Sequence, residues 1–238
     1  MSKFTKEELI RYNRQMIVPE VGLKGQEKIS SAKVLVIGAG GLGCPALLYL
    51  SAAGIGTIGI IDFDKVELHN LHRQILYSTE DIGKLKANTA AQKLKKQNPH
   101  TNILVFDEML SETNAEKIIS QFDIVVDGSD NFLTRYLVND TCVKLNLPLV
   151  YGSILKFEGQ VAVFNYKRGK NLRDLFPEPP NAEDVPNCDE NGVLGTLPGI
   201  IATMIAQETL KLILGMEVLQ NQLLIFDTKG WSLTKLAY

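Results

Sequence analysis

The sequence predicts an α/β fold, with a parallel sheet in its first half continued by antiparallel strands in its second. Three observations predict it. The stretch from Lys33 to Asp64 reads as strand, glycine turn, helix and strand. Short apolar runs then alternate with helix-length segments to about residue 150, the pattern of parallel strands linked by crossover helices. Finally, Leu149–Ile154 and Gly159–Asn165 are joined by a turn too short for a crossover, so that pair is expected to be antiparallel.

Taken in order, residues 5–17 are predicted helical, because Thr5 is followed by Glu8 at capping-box spacing. Gln26–Ser31 is a further helical turn, completing an N-terminal helical segment over 1–30. Val34–Ile37 is an unbroken apolar run, as expected of a strand buried on both faces. Gly38-x-Gly40-Gly41-x-Gly43 follows, and a helix begins near Cys44-Pro45, where the first turn has no use for the missing proline N–H. Thr57–Ile61 forms the second strand and ends at Asp62. After a polar loop, a helix is expected from Asp81–Lys84 to Gln97, stopped by Asn98-Pro99. Ile103–Phe106 is a strand, Glu112–Ser120 a helix, and Asp123–Asp127 a strand whose loop is Gly128–Asn131. Residues 132–145 are helical. In the antiparallel half, residues 166–191 hold four prolines and no periodicity, and are expected to be a mobile loop. The apolar helix Leu197–Leu214 and strands Leu223–Asp227 and Trp231–Leu236 complete the pattern. The organisation is one domain over 1–238, with a nucleotide-binding half at 31–150 and a second half at 151–238.

The unit at 33–64 has the parts of a Rossmann-like nucleotide site. Its first glycine makes the tight turn, the second admits a phosphate to the backbone, and the third lets helix and strand pack closely. The helix N-terminus offers free N–H groups to an anion. Asp62, on the tip of the next strand, is placed to accept ribose hydroxyls. Residues 34–61 carry no charge, yet seven glycines, a proline and strand-length β-branched clusters fit a buried α/β core better than a membrane span.

Bulk properties narrow the classes. The 238 residues are 45% hydrophobic and 22% charged, ordinary for a globular protein. A net charge of −2 gives no general attraction to nucleic acid or anionic membrane, so neither is expected as a partner. MSKFTKEELIRYNRQ lacks the apolar core of a signal peptide. Three cysteines without a CxxC suit a reducing compartment, and the protein is expected in the cytoplasm.

Further charges fall near the carboxyl ends of the strands, where open parallel sheets bind ligands. They are Asn70-Leu71-His72-Arg73-Gln74, Lys86, the Asp127 and Asp130 pair, and Arg14 from the N-terminal segment. Hydride transfer does not need several cations and a spare carboxylate. Splitting a triphosphate does, because charge develops on the leaving pyrophosphate. Mg²⁺ binds through few carboxylates plus phosphate oxygens, so Asp130 suffices. No GxxxxGK[ST] is present. An NAD(P)-binding oxidoreductase remains the alternative on the glycine turn alone, and His72 is assigned no role.

RYNRQ at 11–15, GAGGLG at 38–43, DFD at 62–64, NLHRQ at 70–74, Gly83-Lys84 leading to Lys86, DGSDN at 127–131 and GVLGTLPG at 192–199 together resemble the MoeB/ThiF (HesA) family. These are the bacterial relatives of ubiquitin-activating enzymes. The resemblance implies a homodimeric, Mg²⁺-ATP-dependent adenylyltransferase. Its substrate would be the Gly-Gly carboxylate of a ThiS- or MoaD-like sulfur carrier, for thiamin or molybdopterin synthesis. It implies that Gly41 contacts the nucleotide with Gly38, Gly40 and Gly43 around it, and that Asp62 holds the ribose beside Asp64. Asn70, Arg73 and Lys86 would face the phosphates with Gln74 also binding the nucleotide, Asp130 would hold Mg²⁺ beside Asn131, and Arg14 would reach the partner's site. The second half would dock the carrier. A homologue that binds a carrier without chemistry is a third reading.

The chain departs from that family at one point. Many members bind zinc through two CxxC pairs, whereas this sequence has Asn171-Leu172-Arg173-Asp174 where the first would fall. Asn and Asp do not replace thiolates in tetrahedral zinc, so no zinc is expected. Cys188 matches a cysteine that some relatives use in a thioester or acyl-disulfide step. Asp189 and Glu190 beside it disfavour a thiolate, and an incidental thiol is an equal reading. Cys44 and Cys142 read as buried packing residues.

Overall fold

In the computed structural model, residues 4–180 and 192–238 are described. The strands are β1 Lys33–Ile37, β2 Thr57–Ile61, β3 Asn102–Phe106, β4 Ile124–Asp127, β5 Leu149–Leu155, β6 Glu158–Phe164, β7 Gln222–Asp227 and β8 Ser232–Ala237. They form one sheet in the order β3-β2-β1-β4-β5-β6-β7-β8. β3 through β5 in that order are parallel; the pairings β5–β6, β6–β7 and β7–β8 are antiparallel. The predicted change of pattern at residue 150 is thus the switch from crossover helices to hairpins.

The helices are α1 Lys6–Met16, α2 Gly22–Ser31, α3 Gly43–Ala53, α4 Lys86–Gln97, α5 Ala115–Ile119, α6 Phe132–Leu145, α7 Leu172–Leu175 and α8 Thr196–Leu214. Alternation along β1 explains its uninterrupted apolar run. Val34 and Val36 join the core cluster under α3, α4 and α8, while Leu35 and Ile37 join the opposite cluster under α5 and α6. Each such fully buried aliphatic side chain contributes about 1.5–3 kcal/mol. α8 lies close to the sheet because two glycines leave room for it. A Cβ on Gly152 of β5 would come within 2.1 Å of Ile205, and one on Gly159 of β6 within 2.2 Å of Ile201. By length and composition α8 could cross a bilayer, but half of its apolar window is buried inside this fold.

Local signals were kept or displaced for identifiable reasons. Thr5 and Glu8 form the capping box, with the Glu8 N–H 3.2 Å from Thr5 Oγ1 and the Thr5 N–H 2.8 Å from Glu8 Oε2. α4 starts at Lys86 rather than at 81–84. The Asp81 carboxylate instead caps a 3₁₀ turn over Thr79–Asp81 by accepting the Ser78 N–H at 2.9 Å. α5 is shorter than its pattern, because Asn114 folds back to accept the Ser111 N–H at 2.8 Å. α2 is longer and begins at Gly22.

Within the aperiodic segment, α7 forms from side-chain bonds rather than from an apolar stripe. Asn171 caps it and Asp174 returns to the Asn171 N–H at 2.8 Å. Leu172 is buried, and its N–H donates to Asn139 of α6 at 2.9 Å. Arg173 holds both Asp140 oxygens at 2.8 Å. The Tyr136 hydroxyl donates to the Phe176 and Glu178 carbonyls at 2.9 and 2.8 Å. So the four residues that stand in place of a CxxC fasten this segment to α6 through charge and backbone bonds. Residues 181–191 of the expected loop lie outside the described residues.

Candidate active site

The glycine turn follows β1 directly. Gly38 takes φ +85°, a left-handed conformation suited to glycine, and donates to the Ile61 carbonyl at 2.8 Å. A Cβ on Gly43 would stand 1.9 Å from the Gly38 carbonyl, so no other residue fits there. Gly40 and Gly41 face outward to the turn at 70–77. A Cβ on Gly41 would lie 3.7 Å from Arg73 Cδ and 3.5 Å from Pro198, and one on Gly40 would lie 3.6 Å from Gln74 Nε2. Gln74 is buried, and among the described residues its Oε1 has no hydrogen-bond partner.

Asp62 ends β2 and turns back to this loop. One carboxylate oxygen accepts the Ala39 N–H at 2.7 Å and the other accepts the Asp64 N–H at 2.8 Å. Burial pushes its pKa up, while the Ala39 N–H and the Lys86 charge draw it back. A carboxylate has about four acceptor positions, so the ribose contact expected of it stays open. Lys86 opens α4, is 6% exposed, and places Nζ 2.8 Å from Asp64.

On the other side, the loop after β4 packs on the glycine turn. The Gly128 N–H donates to the Ile37 carbonyl at 2.9 Å, and its own carbonyl lies 3.0 Å from where a Gly38 Cβ would be. Asp127 is fully buried and accepts from the Ser129 N–H and hydroxyl at 2.9 and 2.6 Å. Asp130, next in the chain, is exposed. Asn131 caps α6 by accepting the Thr134 N–H at 2.9 Å, and Asn70 accepts the Glu67 N–H at 3.0 Å. Their side-chain oxygens therefore shape their loops.

A family model described as the ThiF family matches residues 12–237. The chain belongs to the ThiF family. Among its relatives, a Thermus thermophilus sulfur carrier protein adenylyltransferase is 49% identical, with 98% of this chain and 89% of that protein covered. A Culex quinquefasciatus adenylyltransferase and sulfurtransferase MOCS3 is 49% identical over 95% of this chain and 52% of its own length. A Mycobacterium tuberculosis protein named as probable adenylyltransferase/sulfurtransferase MoeZ is 46% identical, over 95% and 59%. This chain therefore spans most of the Thermus protein and little more than half of the other two. The same fold occurs in crystal structures of PaaA, with TM-score 0.85, 23% identity and 100% and 76% coverage. It also occurs in Escherichia coli MccB with ATP, with TM-score 0.83, 20% identity and 95% and 71% coverage.

This ThiF-family chain gathers Gly38, Gly40, Gly41, Gly43, Asp62, Asp64, Arg73, Gln74 and Lys86 around one turn, with the Asp130 loop packed beside it. Arg14 does not join them, which corrects its grouping with the rim charges. α1 lies at the far end of α3, where Gln15 donates to the Ala53 carbonyl at 2.8 Å and the Tyr12 ring covers Gly54. Eleven helical residues, about 16 Å, separate that end from the glycine turn. Cys188 lies outside the described residues. Cys44 and Cys142 are buried, as expected; burial pushes the Cys44 thiol up to about 12 and raises that of Cys142 as well.

Three residues escaped the sequence reading. Pro198 covers Gly41, the Tyr77 hydroxyl sits behind the turn, and Arg135 is buried against Asp127. Arg135 follows Asn131 by four residues, one helical turn past the cap, a spacing that could have flagged it.

The segment leading to Lys86 is organised by Asp81. Lys84, Lys93 and both Ser78 donors surround its carboxylate and hold its pKa well below the usual range. Such a group adds stability that is present above the unfolded carboxylate pKa and lost as pH falls toward the folded value. Asp81→Asn is accordingly expected to lower the neutral-pH melting temperature and to flatten the acid side of the stability–pH curve, followed by circular dichroism. An unchanged acid limb would contradict the assignment.

Proposed function

We propose that this protein adenylates the C-terminal Gly-Gly carboxylate of a ubiquitin-like sulfur carrier, using ATP and Mg²⁺ and releasing pyrophosphate. The observation that carries the reading is the Arg73 stem lying along Gly41, its guanidinium held by the His69 carbonyl at 3.0 Å, with Lys86 paired to Asp64 just past the end of β2. The named activities of the relatives support it.

The site fits a nucleotide. Gly40 and Gly41 leave a cradle that a Cβ would fill, and the buried Gln74 oxygen awaits a donor. The α3 N-terminus follows the glycine turn and its dipole favours a phosphate, although the Cys44 N–H already donates to the Gly40 carbonyl at 2.9 Å and Pro45 has no N–H. Asp62 orients the ribose, and Arg73 and Lys86 neutralise charge as the carrier carboxylate attacks the α-phosphate and pyrophosphate leaves. Mg²⁺ takes few protein ligands, one carboxylate and phosphate oxygens being enough. Asp130 would hold it, and the ion would screen the triphosphate and its developing charge.

Arg14, at the far end of α3, serves the site of a partner subunit in this reading, which makes the enzyme a homodimer. Asn171 to Asp174 fasten their segment without thiolates, and no structural zinc is assigned. The compartment is the cytoplasm and the pathway thiamin or molybdopterin synthesis.

ATP–pyrophosphate exchange tests the proposal. Exchange is expected only with Mg²⁺ and a carrier whose terminal Gly-Gly is intact, and to fall to background when the last glycine is removed. Binding of NAD(P) without binding of ATP would select the oxidoreductase instead.

A further inference from the structure

We propose that Tyr77 is a positioning residue that sets the spacing between the three backbone segments facing the nucleotide phosphates. The inference rests on the nucleotide reading above and goes beyond it, since neither the motif pattern nor the phosphate-facing set includes this side chain.

Tyr77 is 7% exposed, and its hydroxyl lies behind the glycine turn. It is 2.9 Å from the Ala39 carbonyl and 3.2 Å from the Lys86 carbonyl. Ala39 belongs to the glycine turn, and Lys86 is the first residue of α4. Tyr77 itself closes the turn that carries Arg73 and Gln74, since its N–H donates to the Gln74 carbonyl at 3.1 Å. One hydroxyl therefore joins the phosphate cradle, the lysine-bearing helix and the arginine-bearing turn.

The remaining bonds complete a closed ring. The Ala39 N–H is held by Asp62, the Asp64 N–H by Asp62, and the Lys86 N–H by the Asp64 carbonyl at 2.9 Å. The Lys86 ammonium returns to the Asp64 carboxylate. Every link in this ring is local to β2 and its following residues except two: the Asp62 bond to Ala39 and the Tyr77 bond across the back. Without the second, among the described residues the Ala39 carbonyl keeps only the Cys44 thiol at 3.1 Å, a weak donor from the first turn of α3. The Gly38–Ile61 and Asp62–Ala39 bonds still hold the turn to β2, but its carbonyl side loses the tie to Lys86, and misplacement of about 1 Å at such a site costs up to a hundredfold.

Tyr77→Phe removes the hydroxyl and keeps the ring, so the packing survives. In the full-length protein with its carrier, KM for ATP in pyrophosphate exchange is expected to rise about tenfold. KM for the carrier should stay within about twofold of wild type. Calorimetric Kd for a non-hydrolysable Mg²⁺–ATP analogue should rise in parallel. Cys44→Ala, which leaves the link to Lys86 in place, is expected to change KM for ATP by less than about threefold. If Tyr77→Phe lowers the melting temperature with KM and Kd unchanged, the hydroxyl is only structural and the proposal is overturned. It is overturned equally if Cys44→Ala raises KM as much. Failure of wild type to bind the analogue would instead reject the nucleotide reading itself.

Discussion

Lys86→Ala is expected to lower carrier-dependent ATP–pyrophosphate exchange by about a hundred- to a thousandfold while the protein stays folded. The ammonium is nearly buried, is held 2.8 Å from Asp64, and stands at the first residue of α4. A cation so placed needs no reorganisation when charge appears on the leaving phosphates, which is why its loss falls on the rate. The fold tolerates the change because Asp64 is half-exposed and regains water when its partner goes. Lys86→Arg should recover only part of the activity, since a planar fork does not occupy the space of a compact ammonium. Exchange rates read beside circular-dichroism melts separate the two effects. Exchange within threefold of wild type in a folded Lys86→Ala protein would remove the basis of the proposed chemistry.

Much of this arrangement was legible in the sequence because it rests on short-range rules. Glycine spacing, an apolar run of strand length and a terminal acid placed Asp62 against residues 38–43 before any coordinates. α6 and the β5–β6 hairpin follow in the same way from their patterns. The partners of individual side chains were not legible. Asp81 marks a start for α4 in the sequence, but its carboxylate caps the 3₁₀ turn ahead of that helix and is shared among Ser78, Lys84 and Lys93. Asn171-Leu172-Arg173-Asp174 shows no periodicity, because what holds it is Asn139 and Asp140 on another helix. Arg14 lies near other motif residues in sequence logic and far from them in space, since α1 packs at the opposite end of α3. Tyr77 reads as one aromatic in a polar loop until its hydroxyl is seen between two carbonyls.

Arg135→Ala is expected to destabilise the protein by about 3–5 kcal/mol, the cost of leaving a buried charge unpaired. Asp127 is wholly buried, and the guanidinium is its counter-charge, with Nε 3.5 Å from Oδ2. Arg135 also donates to the Tyr151 hydroxyl at 3.0 Å, the Ser129 carbonyl at 2.8 Å and the Gly152 carbonyl at 3.3 Å. Its guanidinium rests on the Tyr151 ring, 5.0 Å from the centroid. These bonds tie the loop after β4, which carries Asp130, to the middle of β5. Burial pushes the Asp127 carboxyl above its usual pKa even with Arg135 drawing it back. Without the arginine it should rise further. A carboxyl with a raised folded-state pKa binds more protons folded than unfolded, so stability falls as pH rises from the unfolded value through the folded one. The Arg135→Ala deficit should therefore be largest at neutral pH and shrink as the solution is acidified into that interval. Combining it with Asp127→Asn should recover part of the loss, because the uncompensated charge is then absent. Denaturant midpoints for both single variants and the double, measured at neutral and mildly acidic pH, check each step. A single variant within about 1 kcal/mol of wild type would show that the pair does not hold the Asp130 loop.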